Sequence, residues 1–510
     1  MFFLITIFSL LFIFIAIKRL ELAVQLLIFA LPAYLIRFKV GPLPSNLLEV
    51  MIWIVFIVWF TQNYRRIFEN LKLKILTSYK LKATSYKLVD YPFKWEIILL
   101  LIISFVSVGV AGFTDSSLGI WKAYFFEPLL LYIVVLNVFS GRQEQDGSGG
   151  LKLSKLLWPL AISALAVSLV AVYQKLTGNL IDNPFWAAAA TRRAVSFFGY
   201  PNAVGLYLGP IVMLMAGLLI TLIREFKQKF SRENYFESFY SIKFVRILLV
   251  FFSLHASLLA IIYARSAGAM LGVAAGLTVF CLLAGSPRYR SGEAGKRTRI
   301  VAIVVIAVAV IGCAVFPLTR HQAWDRLVLR DFSGTVRRIG WNDTWKMLKD
   351  GRLIFGAGLA NFQNAIKPYH QEGFFYNRAN DPDFQRKVVF NADYRKQVWQ
   401  PLEIYLYPHN IFLNFWSELG LAGMLLFAWI IGKYFYIAIL VYKLQATSYK
   451  LVYLGLISAM VAIVVHGLVD VPYFKNDLAV MFWLFIAMLS LIRMSGIRSA
   501  GSPPPANGGE

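Results

Sequence analysis

A histidine stands where a long polar stretch of the chain returns to an apolar one. His409 lies in the sequence Tyr407-Pro408-His409-Asn410, directly before an apolar run. A neutral imidazole at such an edge can accept a proton from a hydroxyl group at neutral pH, whereas the plainer reading is a structural histidine that caps the next helix. Glu418, at the start of the run, either orients polar partners or serves as a charge at a helix N-terminus.

Arginines occupy similar edges of apolar runs. Arg265 lies between two such runs with almost no loop between them, where it can hold a diphosphate through two parallel charge-assisted hydrogen bonds. The alternative for Arg265 is a side chain that snorkels to the interface and only fixes topology. Arg337 and Arg338 precede an aromatic helix, and a solvated pair is the alternative for them. Arg192 and Arg193 precede Asn202, where another loop re-enters the membrane.

Two further polar features lie inside or beside apolar runs. His466 and Asp470 are four residues apart and would share one helix face, for which a structural hydrogen-bonded pair is the favoured interpretation. Glu127 precedes a proline within an apolar run, and a carboxylate buried in a membrane span needs a partner. No residue nearby in the sequence identifies that partner.

Standard soluble-enzyme motifs and metal sites are missing from the sequence. The five histidines show no metal-ligand spacing, the two cysteines make no metal site, and neither a P-loop nor a His-Glu-x-x-His motif occurs. The stretch Gly356-Ala357-Gly358 lacks the third glycine of a dinucleotide-binding turn. We therefore expect no metal and no cofactor, and an activated donor would have to supply the energy for any transfer reaction.

The elements that must position these residues are long apolar runs. Of the 510 residues, 58% are hydrophobic and 15% are charged, and the mean hydropathy is +0.63. Helices of roughly 17–25 apolar residues match a bilayer core of about 30 Å. We predict an all-α, polytopic transmembrane helical bundle of about 12 or 13 spans. These lie near 2–17, 20–36, 47–62, 96–113, 119–139, 156–176, 203–223, 246–264, 267–285, 300–318, 419–441, 451–469 and 477–493.

Basic residues between the spans predict the orientation of the bundle. The net charge is +24, and the basic segments 63–95, 224–246 and 286–299 fall on one side of the membrane under this count. Short loops rich in Lys and Arg are typical of the cytoplasmic side. Charge placed in this way indicates topology rather than a nucleic-acid partner. The opposite, outer side receives residues 37–46, 177–202, 319–418 and 470–476.

The long segment between two apolar runs, residues 319–418, forms a module of its own. It carries too many aromatic residues for a solvated linker, and Trp341, Trp345 and Leu348 lie on one helix face. The repeated TSYKL segments, in or beside cytoplasmic loops, are spacers. The predicted organisation is 1–318 transmembrane helices with short loops, 319–418 extracytoplasmic loop module, 419–493 C-terminal transmembrane helices and 494–510 disordered tail.

Several of these segments resemble one known family. The stretches 352–362 (RLIFGAGLANF) and 407–427 (YPHNIFLNFWSELGLAGMLLF) resemble the signature of the O-antigen ligase and polymerase family, in which a Gly-x-Gly turn precedes a His-Asn pair and a Glu-x-Gly. Residues 192–210 resemble its Arg…Pro-Asn element. Residues 264–272 resemble its Ser-Arg-Gly element, with Ala264 in place of the first serine. The resemblance runs from about 119 to 490.

This resemblance implies a membrane glycosyltransferase of the plasma (inner) membrane. Such an enzyme transfers a glycan from a polyprenyl (undecaprenyl) diphosphate carrier to an acceptor hydroxyl on the periplasmic or exterior side, without metal or nucleotide. By the same resemblance, Arg265 and Arg337 hold the donor diphosphate and His409 activates the acceptor. The other candidate substrate-binding residues are Arg338, Arg192, Arg193, Asn202, Asn410 and Glu418.

Alternatives exist within and outside this family. The acceptor is a glycolipid for a ligase, which we favour, another copy of the donor glycan for a polymerase, or a protein for a protein O-oligosaccharyltransferase. A lipid-linked glycan transporter or flippase would share the multi-span architecture. The sequence shows no repeated halves, however, and its polar residues cluster at the outer face rather than midway across the membrane. A non-catalytic scaffold would leave the arginines and the histidine without a purpose.

Overall fold

The chain folds into a bundle of long helices. The computed structural model describes residues 2–40, 43–76, 91–140, 153–230, 242–284, 325, 328–444 and 450–500. Within these residues helices dominate, which confirms the predicted all-α fold. In chain order they are α1 (Phe2–Lys18), α2 (Leu20–Phe29), α3 (Leu47–Leu76), α4 (Lys94–Val110), α5 (Asp115–Ile120), α6 (Glu127–Phe139), α7 (Ser154–Thr177), α8 (Pro184–Ala187), α9 (Pro201–Phe230), α10 (Ile242–Ala264), α11 (Ala267–Ala284), α12 (Phe332–Met347), α13 (Phe362–Ile366), α14 (Phe384–Phe390), α15 (Ala392–Val398), α16 (Ile411–Leu444), α17 (Lys450–Gly467) and α18 (Asn476–Ala500).

Two small antiparallel ribbons, which the sequence did not predict, complete the described elements. Strand β1 (Arg37–Val40) pairs with β2 (Leu43–Asn46), and β3 (Gly373–Phe375) pairs with β4 (Trp399–Pro401). Both ribbons lie in segments predicted to face the outer side, where backbone groups that are not helical can be hydrogen-bonded outside the hydrocarbon layer.

Nine helices within the described ranges are long and apolar enough to cross a membrane, so the chain is a multi-pass membrane protein. Helix α4 and the two N-terminal helices are shorter, and the predicted span 300–318 lies outside the described residues. The spanning segments are Leu47–Arg65, Asp115–Phe139, Ser154–Thr177, Pro201–Lys227, Phe244–Ala264, Ala267–Ala284, Ile411–Tyr442, Lys450–Gly467 and Asn476–Met494.

Three predicted boundaries differ from the structure. The span predicted at 20–36 is a helix only to Phe29, and a short 3-10 turn, Leu31–Leu35, follows because Pro32 cannot continue the α-helix. The span predicted to begin at 419 begins at Ile411, with a kink at Gly420, whose φ is +77°. The tail predicted to be disordered from 494 is helical to Ala500, since the first proline comes only at 503.

A stripe of glycines on α11 lets it approach α17 closely. Gly272 and Gly276 face the carbonyl oxygens of Ala462 and Ser458, and a Cβ atom on either glycine would lie 2.7 Å from that oxygen. Gly268, one turn earlier, faces the ring of His466. Small residues spaced by four place helix backbones in direct contact inside a membrane. This packing fixes the end of α11 that follows Arg265 against the end of α17 that carries His466.

An aromatic cluster joins the first turns of α16 to the segment before α18. Phe415 stacks on Phe427 with ring centroids 3.9 Å apart, and both rings contact Tyr473. The Tyr473 hydroxyl donates a hydrogen bond to the backbone carbonyl of Tyr124 at 2.9 Å and accepts one from Trp483 Nε1 at 3.1 Å. Buried aromatic pairs with satisfied polar atoms are stabilising and geometrically specific. The cluster therefore holds residues 409–415 beside residues 470–475.

Residues 328–410 belong to the loop module that was predicted to face the outer side and are called the outer module below. This module docks on the bundle through the turn that contains Gly356 and Gly358. The Ala357 amide donates to the Ser417 carbonyl at 2.6 Å, and the Leu359 amide donates to the Ser107 carbonyl at 3.2 Å. Gly358 has a φ of +87° and touches the backbone of Ala111, so that a Cβ atom there would clash. The Gly-x-Gly turn thus packs between α4 and α16 and is not a nucleotide-binding loop.

Candidate active site

His409 lies in the connection between the outer module and α16, in a left-handed backbone conformation with φ of +50°. Its ring contacts the edges of Tyr405 and Tyr407, each with a centroid distance of 5.2 Å. Non-glycine residues in this region cost of order 1–3 kcal/mol and persist where the surroundings hold them. The next residue, Asn410, caps α16 by accepting from the Leu413 amide at 3.0 Å and donates to the Leu468 carbonyl at 3.0 Å.

The closest charged neighbour of His409 is Asp470, whose Oδ1 lies 3.5 Å from the imidazole Nδ1. This is an ion-pair distance rather than a well-formed hydrogen bond. Asp470 is 1% exposed and accepts from the Val471 amide at 2.9 Å and from Asn202 Nδ2 at 3.2 Å. Burial alone would raise the pKa of this carboxyl, but His409, His466 and Arg337 together bring its pKa well below the ordinary value. Asp470 is therefore a fixed, ionised carboxylate.

The sequence interpretation of His466 and Asp470 as one helix face is wrong. Helix α17 ends at Gly467, so Asp470 lies in the turn that follows, and its hydrogen bonds go to Asn202 and Val471. His466 is buried against Gly268 instead. Pro472, two residues after Asp470, is the sequence signal that could have indicated a turn here.

A chain of polar contacts runs from Asp470 to the residue before α11. Asn202, in the first turn of α9, accepts from Arg193 Nη2 at 3.2 Å. The Nε atom of Arg193 donates to the Ala264 carbonyl at 2.9 Å, and Nη2 reaches the Arg265 carbonyl at 3.5 Å. Arg193, Asn202 and Asp470 thereby connect the start of α9, the α10–α11 junction and the α17–α18 junction.

The two arginines predicted to hold a diphosphate lie at the same end of the bundle. Arg265 has a φ of +51°, is exposed, and its side chain makes no hydrogen bond or ion pair with a described residue. Arg337, in α12, donates from Nε to the Val469 carbonyl at 2.8 Å and from Nη1 to Ser333 Oγ at 2.8 Å. Because Val469 adjoins Asp470, Arg337 belongs to the surroundings of His409.

Three other predicted site residues do not join this group. Arg192 donates to the carbonyls of Ala187 and Lys175 and so ties its own loop together. Arg338 is exposed and makes no contact of this kind within the described chain. Glu418 is 5% exposed, and its Oε2 accepts from the Ala360 amide at 2.6 Å, which orients the Gly-x-Gly turn.

Glu127, whose partner the sequence left open, belongs to a separate polar cluster. Its Oε1 accepts from Trp53 Nε1 at 2.9 Å and lies 4.0 Å from Lys122 Nζ. Lys122 in turn pairs with Glu49 at 2.8 Å. The cluster connects α3 to the π-helical turn, Trp121–Phe126, that precedes α6. It does not contact His409.

A small, partly open cavity lies between α12 and the extended segment that leads to His409. Its lining combines apolar side chains with His409, Arg337 and several other polar groups. Among the described residues, no group of three His, Cys, Asp or Glu is arranged to hold a metal ion. The lining residues are Val336, Arg337, Ile339, Gly340, Asp343, Phe362, Ile366, His370, Leu402, Glu403, Ile404, Tyr405, Tyr407, Pro408 and His409.

Part of the chain is similar to a known protein family. No curated protein sequence matches the chain. Residues 251–428, however, match the family model described as O-antigen ligase. The matched part includes Arg265, Arg337 and His409, whereas Arg193 and Asp470 lie outside it. Together with the membrane-spanning helices, the match shows that the chain carries a domain of the O-antigen ligase family.

Proposed function

We propose that the protein transfers a glycan from a polyprenyl diphosphate carrier to an acceptor hydroxyl at the outer face of the inner membrane. The observation that carries this proposal is the contact between His409 and the buried carboxylate of Asp470, beside Arg337 and at the mouth of a cavity. A base, cations and a cavity at one end of a membrane bundle suit an anionic, lipid-attached donor. Family membership supports a glycosyltransferase of the ligase and polymerase class.

The donor diphosphate would be held by Arg265 and Arg337. The Arg265 guanidinium is exposed, and that of Arg337 lines the cavity beside His409. Planar guanidinium groups bind phosphate oxygens in pairs, and their charge stabilises the negative charge that develops on a departing diphosphate. Arg193 would help to position Arg265 without binding the donor, because it donates to the Ala264 and Arg265 carbonyls at the α10–α11 junction.

His409 would act as the general base. Asp470 on the Nδ1 side favours the tautomer that carries its proton on Nδ1, which leaves the Nε2 lone pair for the acceptor hydroxyl. The acceptor oxygen attacks the anomeric carbon as the bond from that carbon to the diphosphate oxygen breaks, through an oxocarbenium-like transition state. The proton passes to Nε2, and the polyprenyl diphosphate leaves with the electron pair. This single displacement inverts the anomeric configuration.

The test is transfer by purified protein supplied with polyprenyl diphosphate glycan and candidate acceptors, in EDTA and without nucleotide. His409→Ala is expected to lose transfer while it stays folded, because it removes the imidazole that lies against the Asp470 carboxylate. His255→Ala is the matched control, since this histidine is exposed on α10 and bonds only its own helix turn, at the Phe251 carbonyl. Equal transfer by the wild type and His409→Ala would contradict the proposed role of His409.

The size of the product separates the members of the class. A single addition to a glycolipid indicates a ligase, which we propose, whereas a ladder built on the donor glycan indicates a polymerase. Modification of a polypeptide indicates a protein O-oligosaccharyltransferase. If the wild type transfers glycan to none of these acceptors but moves the lipid-linked glycan across a vesicle membrane, the transferase proposal is wrong and a flippase takes its place.

A further inference from the structure

Three consecutive apolar residues of the outer module, 353–355, lie against the kink of helix α16 and are called the boundary segment below. The Leu421 amide donates to the Ile354 carbonyl at 3.0 Å. A Cβ atom on Gly420 would lie 2.1 Å from the same carbonyl oxygen, so the two backbones touch. Because α16 contains the membrane-spanning segment Ile411–Tyr442, these contacts hold the boundary segment at a fixed height along a membrane helix.

A charged pair at the other end of α16 gives that height. Glu96, in the first turn of α4, pairs with Lys433 of α16 at 2.7 Å. Charged residues are rare inside the hydrocarbon layer, so this pair marks one boundary of the layer. Gly420 precedes Lys433 by 13 residues, which corresponds to about 20 Å of helix. Since a bilayer core is about 30 Å thick, the boundary segment lies within the opposite leaflet, the one that faces the outer module.

Helix α4 gives the same height independently. Ala111, directly after the end of α4, touches Gly358 in the turn that follows the boundary segment. Ala111 comes 15 residues after Glu96, which corresponds to about 22 Å of helix. Two neighbouring helices thus place this part of the outer module at the level of the lipid rather than above it.

The side chains of the boundary segment are free to meet that lipid. Leu353, Ile354 and Phe355 are 41%, 63% and 61% exposed. Phe113, two residues beyond the Ala111 contact, is exposed as well. Three consecutive exposed apolar residues are unfavourable in a loop surrounded by water, whereas acyl chains would remove them from water at no such cost.

Two tryptophans and a lysine adjoin the boundary segment. Trp416 Nε1 donates to the Leu353 carbonyl at 2.7 Å, and its ring meets that of Trp345 edge to face, with centroids 5.4 Å apart. Lys349 Nζ lies 5.2 Å from the centroid of the Trp345 ring and makes no hydrogen bond or ion pair with a described residue. The neighbouring Asp350 accepts instead from the Tyr369 hydroxyl. Tryptophans gather at membrane–water interfaces, where lysines extend their ammonium groups to the polar layer.

We infer that the boundary segment anchors the outer module in the membrane. Its side chains enter the acyl-chain region of the leaflet that faces the module, and Lys349 contacts the phosphate of a phospholipid. Because the Ala357 amide also donates to the Ser417 carbonyl, the anchor is joined to the first turns of α16, directly after His409. The lipid surface therefore sets the height of the outer module and of His409. This inference goes beyond the proposed transfer reaction and does not depend on it.

The first measurement places an environment-sensitive fluorophore on Ile354→Cys or on Phe355→Cys. The full-length protein is used, with Cys281 and Cys313 replaced by serine, and thermal unfolding checks that each variant is folded. In lipid nanodiscs the emission is expected to shift to shorter wavelength and to be quenched by lipids that carry a nitroxide on the acyl chain. Asp393→Cys is the matched control, because this side chain is 89% exposed in the same module, and its probe should be quenched by aqueous iodide instead.

Two outcomes of this measurement would overturn the anchor. Probes at 354 and 355 that are quenched by iodide and not by the lipid nitroxide would place the boundary segment in water. A shift to shorter wavelength that neither quencher affects would show that protein, such as a second copy of the chain, covers the segment instead of lipid.

The second measurement tests the phosphate contact through the Tm in nanodiscs of phosphatidylglycerol and of phosphatidylcholine. The anionic lipid is expected to raise the Tm of the wild type, because basic residues at the surface attract anionic headgroups, and Lys349→Gln should reduce this gain. Lys396→Gln, exposed on α15 in the same module, should keep the full gain. Equal gains in the wild type and Lys349→Gln would overturn the role of Lys349. Neither measurement requires glycan transfer, so failure here leaves the proposed function intact.

Discussion

The Nδ1 atom of His409 lies 3.5 Å from Oδ1 of Asp470, a residue held in turn by Asn202 and by the Val471 amide. The imidazole is therefore positioned by a carboxylate from a different part of the chain. In the proposed displacement, Asp470 would act only through His409. His409 would supply the base, and Asp470 would fix its orientation.

Replacement of Asp470 by asparagine should therefore damage catalysis more than acceptor binding. An amide at this position no longer favours the Nδ1 proton, and loss of the correct tautomer in a catalytic triad lowers kcat by roughly 10⁴. The distance from His409 Nδ1 to Asp470 Oδ1, 3.5 Å, is longer than a well-formed hydrogen bond. We therefore expect kcat of Asp470→Asn to fall about 100-fold or more, with little change in either KM. Asp393→Asn, an exposed residue of the outer module, is the control. A wild-type kcat in Asp470→Asn would show that His409 works without this partner.

The same residue predicts how stability depends on pH. The pKa of Asp470 is lower in the folded protein than its ordinary value, so its ionisation favours folding. This contribution is complete above the unfolded pKa of about 3.9 and is lost as pH falls through the folded pKa. The difference in Tm between the wild type and Asp470→Asn in detergent should be constant from about pH 5 to 8 and shrink only below about pH 4. A difference that disappears between pH 7 and 5 would contradict this assignment.

Lysine at Arg265 or Arg337 should impair transfer although the charge is kept. A lysine cannot bind two phosphate oxygens in one plane, and at position 337 it also loses either the Val469 or the Ser333 contact. We expect kcat/KM for the donor to fall roughly 10- to 100-fold, in line with the loss of one or two charge-assisted hydrogen bonds. Arg386→Lys, exposed on α14, is the matched control. Intact activity of Arg265→Lys would weigh against paired binding of the diphosphate.

Gly268→Ala should destabilise the protein at the contact between α11 and α17. A Cβ atom at residue 268 would lie 2.5 Å from Cδ2 of His466, whose side chain is buried. Overpacking of this kind costs typically about 1–3 kcal/mol. Gly432→Ala on α16, where a Cβ atom would meet nothing within 4 Å, should be neutral or stabilising. Thermal unfolding in detergent distinguishes the two, and equal Tm values would contradict the close packing.

Glu418 is expected to be a structural residue. Glutamine keeps an oxygen for the Ala360 amide, so Glu418→Gln should retain transfer and Tm, whereas Glu418→Leu leaves a buried donor unpaired at a cost of about 1–3 kcal/mol. Transfer kinetics and Tm of the two variants check this. A Glu418→Gln protein that keeps its Tm but loses transfer would indicate a direct role in substrate binding instead.

The sequence predicted the membrane fold and most of the residues around His409. Apolar runs identify spans because every backbone polar group in the hydrocarbon layer must be bonded within a helix. The arginines and His409 could be selected because charge at the membrane edge is unusual. Arg193 and Asn202 were among the predicted residues that the structure brings beside Asp470.

The partners across distant segments could not be predicted in the same way. Asp470 was assigned to a helix face because a four-residue spacing fits one, and only the helix end at Gly467 shows that it turns towards His409. Arg192 and Arg193 are neighbours in sequence, but their side chains bond different groups. Arg192 donates to the Ala187 carbonyl in its own loop, whereas Arg193 donates to Asn202 beside Asp470.

The chain of contacts from Arg193 through Asn202 to Asp470 also constrains how the protein is made. A membrane protein is inserted from its N-terminal helices onward, and α9 and α11 enter the bilayer long before residue 470 is synthesised. The carboxylate that orients His409 arrives only with the turn between α17 and α18. A partly translated chain therefore cannot bring Asp470 into contact with Asn202 and His409.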